Sequence, residues 1–215
     1  MMEEIPVAVI KELVQELNDM QYRQDLHDRL FHTDIYTLAK PRRLGHLVLH
    51  HAKYVSQLYS IVTSSIYEEL RDRSDDPVNV NRMKLLCVDG LIINMSVMNV
   101  CGKPLWKQIE HMRGFTRQEA IDMLILHMGK MAKTIEDIDH MAQTNPLGEI
   151  FESTVMLFNA YAAIYMSEGN TLQDYFDAAQ ARVIAVERKM IWCEERMAEI
   201  EFLMANRESE TEERG

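Results

Sequence analysis

The segment Leu47–Leu58, Leu-Val-Leu-His-His-Ala-Lys-Tyr-Val-Ser-Gln-Leu, returns later as Leu124–Ile135, Leu-Ile-Leu-His-Met-Gly-Lys-Met-Ala-Lys-Thr-Ile. Both copies carry Leu-x-Leu-His-x-x-Lys, with His50 answering His127 and Lys53 answering Lys130 at one offset of 77 (127 − 50 and 130 − 53). A repeat at fixed offset constrains a chain strongly, because each copy is then one supersecondary unit that buries its apolar face against the other. In the first copy Leu44, Val48, His51, Val55, Leu58 and Val62 step by three and four; in the second, Leu124, Met128, Met131, Ile135 and Ile138 do the same. That period is the apolar stripe of a helix. Beside it runs a polar stripe: His46, His50, Lys53 and Gln57 in one copy, His127, Lys130, Thr134 and Asp137 in the other. The reading is an all-α bundle built from a tandem duplication of a helical hairpin unit.

The remaining segments fit that frame. Val7, Ile10, Val14 and Leu17 predict an N-terminal helix to about Phe31, and Pro41 precedes a long helix over 42–70. The Ser-Asp-Asp-Pro run within 71–81 predicts a break. An apolar helix over 82–101 then ends at Gly102-Lys-Pro, a terminal glycine followed by proline. The segment 151–167 repeats that role, with Gly169-Asn-Thr-Leu172 paralleling Gly102-Lys-Pro-Leu105 and Phe158-Asn159 echoing Ile93-Asn94. In a last helix over 172–206, Val183, Val186, Met190, Cys193, Met197, Ile200 and Met204 alternate steps of three and four. Such a seam packs along the bundle or joins two chains into a homo-oligomer. The chain thus reads as one domain: an N-terminal helix and linker (1–41), two repeats (42–117 and 118–176), the C-terminal helix (177–207) and a solvated acidic tail (208–215) expected to be disordered.

Composition narrows the function classes. The net charge of −11 opposes a phosphate backbone, so general nucleic-acid binding is not expected. Eight glycines and five prolines are too few for a turn-rich all-β chain. No apolar run is expected to approach the ~20 residues of a membrane span, and the start has no basic segment followed by an apolar one, as a secretory signal would. Cys87, Cys101 and Cys193 are scattered, which suits buried thiols in a reducing cytoplasm rather than a disulfide framework. The 16 methionines suit irregular helix–helix gaps.

Three groups of residues offer chemistry. His27, Asp28, His32 and Asp34 are ligand-type residues, but His27 and His32 stand five apart and would not share a helical face. The twin pairs His50/Lys53 and His127/Lys130 suit contacts to a phosphate-bearing ligand, lysine acting as a point charge. Glu136-x-x-Asp139 and Glu149-x-x-Glu152, with His140 nearby, would face each other across a hairpin turn and offer Mg²⁺ or Mn²⁺ oxygen ligands. No glycine-rich phosphate loop and no nucleophile elbow is present.

Asp89 lies 13 residues before Gly102 (102 − 89) on the apolar helix that follows a long helix and a break. This order and spacing resemble the all-α nucleoside triphosphate pyrophosphohydrolases, the MazG-like superfamily, over about residues 42–109, with a degenerate second copy over 118–176. The resemblance implies a Mg²⁺ or Mn²⁺ site that includes Asp89, and hydrolysis of a (d)NTP to (d)NMP and pyrophosphate. Three positions depart from the family. His50 and Lys53 stand where a Glu-Glu-x-x-Glu helix is expected, Leu86 replaces an acid three residues before Asp89, and Met156 lies 13 before Gly169 (169 − 156). The expectation is therefore a MazG-like nucleotide-binding protein, with a non-catalytic helical interaction or regulatory protein as the alternative.

Overall fold

The computed structural model describes residues 7–63, 77–112, 114–140, 145–190 and 192–212. These form eight α-helices: α1 (Val7–Phe31), α2 (Thr33–Tyr36), α3 (Lys40–Thr63), α4 (Pro77–Cys101), α5 (Arg117–Asp139), α6 (Pro146–Met166), α7 (Leu172–Glu187) and α8 (Cys193–Glu212). A 3₁₀ turn, Trp106–His111, links α4 to α5, and no strand occurs among the described residues. The all-α class read from the repeat is the class observed. Residues 71–76 of the break predicted over 71–81, and the end of the 42–70 helix beyond Thr63, lie outside the described residues. The rest of that break is corrected, because α4 already starts at Pro77, a residue tolerated in a first helical turn, and residues 77–81 are helical.

Local sequence sets the helix ends. Thr116 with Glu119 opens α5, and Thr171 with Asp174 opens α7, each a reciprocal capping box that satisfies otherwise orphaned backbone donors. Asn145 opens α6, its side chain accepting from the Gly148 N–H with Pro146 at the first helical position. The chain leaves α4 through Gly102 at φ 65° and α6 through Gly169 at φ 80°, left-handed positions where a side chain would be strained.

α3 pairs with α4 and α5 with α6; across the bundle α4 packs on α6 and α3 on α5. α1 lies on α4, α7 fits against both, and α8 runs back along α1. Asn79–Cys101 has the length, 23 residues, and mean hydropathy, 1.5, of a membrane-crossing helix, which corrects the expectation that no apolar run approaches a span. Its place between α1, α3, α6 and α7 accounts for that apolarity, since a helix covered on several sides is apolar all round.

The centre of the bundle is the crossing of α4 and α6. A Cβ at Gly90 would stand 2.6 Å from the Tyr161 ring, so only glycine admits the close approach. The Tyr161 hydroxyl lies 3.2 Å from His51 Nδ1, and the two rings stack at 5.9 Å between centroids. His51 is fully buried, Asn94 and Asn159 are buried as well, and the Tyr175 hydroxyl donates to the Cys87 carbonyl at 2.8 Å. Burial, and then the neighbouring His50, hold His51 at a pKa of about 3, so its imidazole is neutral.

Two further expectations are corrected. The C-terminal helix is not continuous: α7 stops at Glu187, α8 starts at Cys193, and Trp192 between them takes φ 60°. Ile200 is fully buried and Met190, Met197 and Met204 half-buried against Leu26 and Phe31, so this seam is packed on α1 of its own chain. Helix α8 also runs to Glu212, into the tail expected to be disordered.

Gly90→Ala gains ~1 kcal/mol of helix propensity, but overpacking a close core costs about 1–3 kcal/mol, and the Tyr161 ring is tight on both sides. Chemical unfolding should therefore show net destabilisation; equal or greater stability would disprove the contact. For His51 the folded pKa is lowered from 6.5 to about 3, so its contribution is complete above pH 6.5 and drains as pH falls. At ~1.4 kcal/mol per pH unit, unfolding should lose roughly 2 kcal/mol between about pH 6.5 and 5. His51→Gln should flatten that slope.

Candidate functional site: a histidine-rich cleft

A cleft of about 280 Å³ opens where α1, α2, α3, α4 and α7 meet. Helix α3 lines it with Arg43, His46, His50 and Tyr54, whose steps of three, four and four put them on one face. Helix α1 adds Gln24, His27 and Asp28, and α2 adds Ile35 and Tyr36. Asp89, Ile92, Ile93 and Ser96 come from α4, and Arg182, Val183 and Val186 from α7. His32 joins them because α1 ends at Phe31 and His32 leaves helical geometry at φ −122°, ψ 44°. The five-residue separation that keeps His27 and His32 apart on a continuous helix is cancelled by this turn, and their ring centroids lie 5.2 Å apart.

The walls are held by ion pairs. Arg182 grips Asp89 with Nε–Oδ1 at 2.8 Å and Nη2–Oδ2 at 3.4 Å, a two-point contact that ties α7 to α4. Gln24 donates to Asp28 Oδ1 at 2.8 Å and to Ser96 at 3.2 Å, and Arg43 Nη2 stands 3.7 Å from Asp28 Oδ2. That Arg43 nitrogen is buried with no hydrogen-bond partner, while the guanidinium sits 4.1 Å above the Tyr36 ring. His46 and His50 meet Nε2 to Nε2 at 3.1 Å, and His50 Nδ1 is buried without a partner.

Behind the cleft, Glu187 is fully buried at the end of α7. Its Oε1 lies 3.2 Å from His27 Nδ1, and its Oε2 accepts from Arg23 at 2.9 Å. Arg23 also reaches Glu201 of α8 at 2.7 Å, so one cluster joins α1, α7 and α8. Burial raises the Glu187 pKa, but the bonds from His27 and Arg23 outweigh it and hold the carboxyl below its usual value. His50 is lowered by burial and then by His46 and Lys53; His32 is lowered by burial and then by His27. Burial raises Asp28, and burial with the Asp89 charge pushes the Tyr54 phenol up to about 12.

The residues singled out in the sequence do not all converge. His50 and Asp89 face the cleft. Lys53 is exposed, its ammonium 4.3 Å from the Tyr54 ring centroid. His127 is buried 3.3 Å from Ser153 Oγ, Lys130 is exposed, and neither belongs to the cleft. Glu136 pairs with Lys133 at 3.2 Å, Glu149 accepts from Thr134 at 3.1 Å, and Asp139, Glu152 and Asp34 are exposed. Among the described residues no three His, Cys, Asp or Glu gather as a metal-holding group. Both Asp89 oxygens face Arg182, and Asp28 faces Gln24 and Arg43, so the donor set does not fit the oxygen-rich Mg²⁺ or Mn²⁺ site that the MazG-like resemblance implies. Tyr36, Arg43, Tyr54 and Arg182 were not singled out in the sequence, although 43, 46, 50 and 54 share one helical stripe.

Comparison with protein-family models, with curated proteins and with solved structures returns no match for this chain.

Removing one partner from a buried ion-pair cluster costs about 3–5 kcal/mol, because the remaining charge is stranded. Glu187→Ala should therefore destabilise the fold on that scale in urea unfolding. Because the Glu187 carboxyl is lowered from 4.5, its contribution is present above that pH and is lost as pH falls below it. A wild-type-like midpoint for the variant would refute the clamp.

Proposed function

We propose that the cleft binds a nucleotide or another phosphorylated small molecule. The observation that carries this reading is the Arg43 Nη2, buried at the cleft with no hydrogen-bond partner. Asp28 Oδ2 balances its charge from 3.7 Å, beyond hydrogen-bond reach, so the donor itself is unsatisfied, and a phosphate oxygen is an acceptor its planar fork suits. Its surroundings suit the rest of such a ligand: Tyr36 and Tyr54 offer ring faces, and Ile92, Ile93, Val183 and Val186 form an apolar wall. At about 280 Å³ the cleft is near the ~300 Å³ lower end of small-molecule sites. Binding is the proposal, without a Mg²⁺-dependent hydrolytic step, since the carboxylates are engaged by arginines.

The same reading takes the bundle as a tandem duplication. Pairing of α3 with α5 and of α4 with α6 is the arrangement expected of two hairpins related by a pseudo-two-fold axis. A second functional reading, a non-catalytic interaction protein, is favoured by Leu49 and Leu126, equivalent residues of the repeat (126 − 49 = 77) that are 71% and 47% exposed. Apolar residues at matching exposed positions suit a protein-binding face.

Calorimetry with nucleoside mono- and triphosphates, without added metal, tests the proposal. A charge-assisted contact is worth about 1.5–3 kcal/mol, so Arg43→Ala should weaken binding by about tenfold or more. Lys130→Ala, on a helix that does not line the cleft, should leave it unchanged. No heat with any nucleotide or simple phosphate ester at millimolar concentration would transfer the case to the interaction reading.

A further inference from the structure

His46 and His50 stand one helical turn apart on α3, and their Nε2 atoms approach to 3.1 Å at the cleft. A pair of histidines at i and i+4 is a recurrent way for a helix to present two nitrogens to one ion. With nitrogen–metal bonds of about 2.0–2.1 Å, the two nitrogens would be about 2.9 Å apart at a right angle and about 3.3 Å apart at the tetrahedral angle. The observed separation falls between these values. The edge-on ring arrangement, with centroids 4.8 Å apart and planes at 60°, leaves both imidazoles converging through the same ring atom.

We propose that His46 and His50 bind a borderline divalent ion such as Zn²⁺, Ni²⁺ or Cu²⁺, as a two-imidazole site whose remaining positions open to the cleft. Imidazole nitrogens suit these ions and not Mg²⁺, which wants hard oxygen donors. The proposal accounts for the failure of the carboxylates to form a magnesium site: the first helix of the cleft supplies nitrogen donors, and the nearby acids are spent on arginines. An ion on the two Nε2 atoms would replace their mutual contact and put each ring's proton on Nδ1, which in His50 is buried without a protein partner. Asp28 and Asp89 stand in the same cleft as Arg43 and Arg182, so two carboxylates offset the two guanidinium charges facing the ion. Two protein donors set a modest affinity, and water or an anionic ligand completes the coordination. The site does not depend on the nucleotide reading.

The test uses the full chain and metal ions alone. Calorimetry should give one site with Kd on the order of 10 µM or tighter for Zn²⁺, with Cu²⁺ binding more tightly and Mg²⁺ giving no heat. His46→Gln and His50→Gln should each weaken Zn²⁺ binding at least tenfold, whereas His140→Gln, outside the cleft, should not. Arg43→Ala should retain metal binding even where nucleotide binding is lost, which separates this site from the phosphate reading. If either cleft variant fails to fold, Cu²⁺ added to the wild-type protein should selectively broaden the imidazole proton signals of His46 and His50. Zn²⁺ binding unchanged in both variants, no binding in the wild type, or broadening confined to other histidines would overturn the proposal and leave the 3.1 Å contact as a hydrogen bond between two imidazoles.

Discussion

The close passage of Tyr161 over Gly90 fixes the relation between the two halves of the bundle. A ring lying on bare backbone allows α4 and α6 to approach as no pair of larger side chains would, and its hydroxyl reaches His51 on α3. One aromatic residue therefore positions three helices at once. Everything lining the cleft on α3 and α4 inherits its placement from that crossing, because sliding either helix by one residue would put a Cβ against the ring. The polar contact inside is worth little net stability on its own, about 1 kcal/mol; its larger effect is to reject alternative registers, which would leave hydroxyl and imidazole unpaired in the core.

The cleft combines two kinds of order. Its carboxylates and guanidiniums face each other in pairs that join helices, so they serve as architecture. Burial, with neighbouring histidines, lowers the pKa of His50 and His32, which favours uncharged rings at these two positions among charged walls. Glu187 supports this from behind, through one oxygen to a cleft histidine and the other to Arg23. Residues that tie the helices together therefore also line the cleft.

Much of the fold was legible because it depends on periodicity. The stripes of α3 and α5 and the glycines at 102 and 169 are local signals, and the structure uses each as its chemistry dictates; the capping pairs Thr116/Glu119 and Thr171/Asp174 are equally local but were not read. The site was less legible because it depends on where helices stop. His27 and His32 were assigned to different faces of one helix, and the single non-helical residue at 32 reverses that assignment. Arg182 and Asp89, separated by 93 positions, meet only through the packing of α7 on α4. The twin His–Lys motif suggested a repeat, yet His50 faces a cleft while His127 is enclosed beside Ser153. Sequence identity at two positions cannot encode the different neighbours that each half acquires from α1 and α7.

The interruption before α8 carries a consequence for how molecules of this chain relate to each other. The seam from Val183 to Met204 keeps helical spacing straight through the bend at Trp192, so the same residues are patterned for an unbroken rod. Were residues 188–192 to straighten, α8 would swing away from α1 and bare Leu26 and Phe31, which Ile200 covers. Another chain's α8 would offer those residues an identical surface, and Arg23 and Asp19 an identical Glu201 and Arg207. A short hinge between a tethered helix and its own groove is the condition under which protomers exchange arms at little cost in contacts. Concentration, which has no bearing on the closed chain, would then set the balance between a self-contained molecule and a swapped pair.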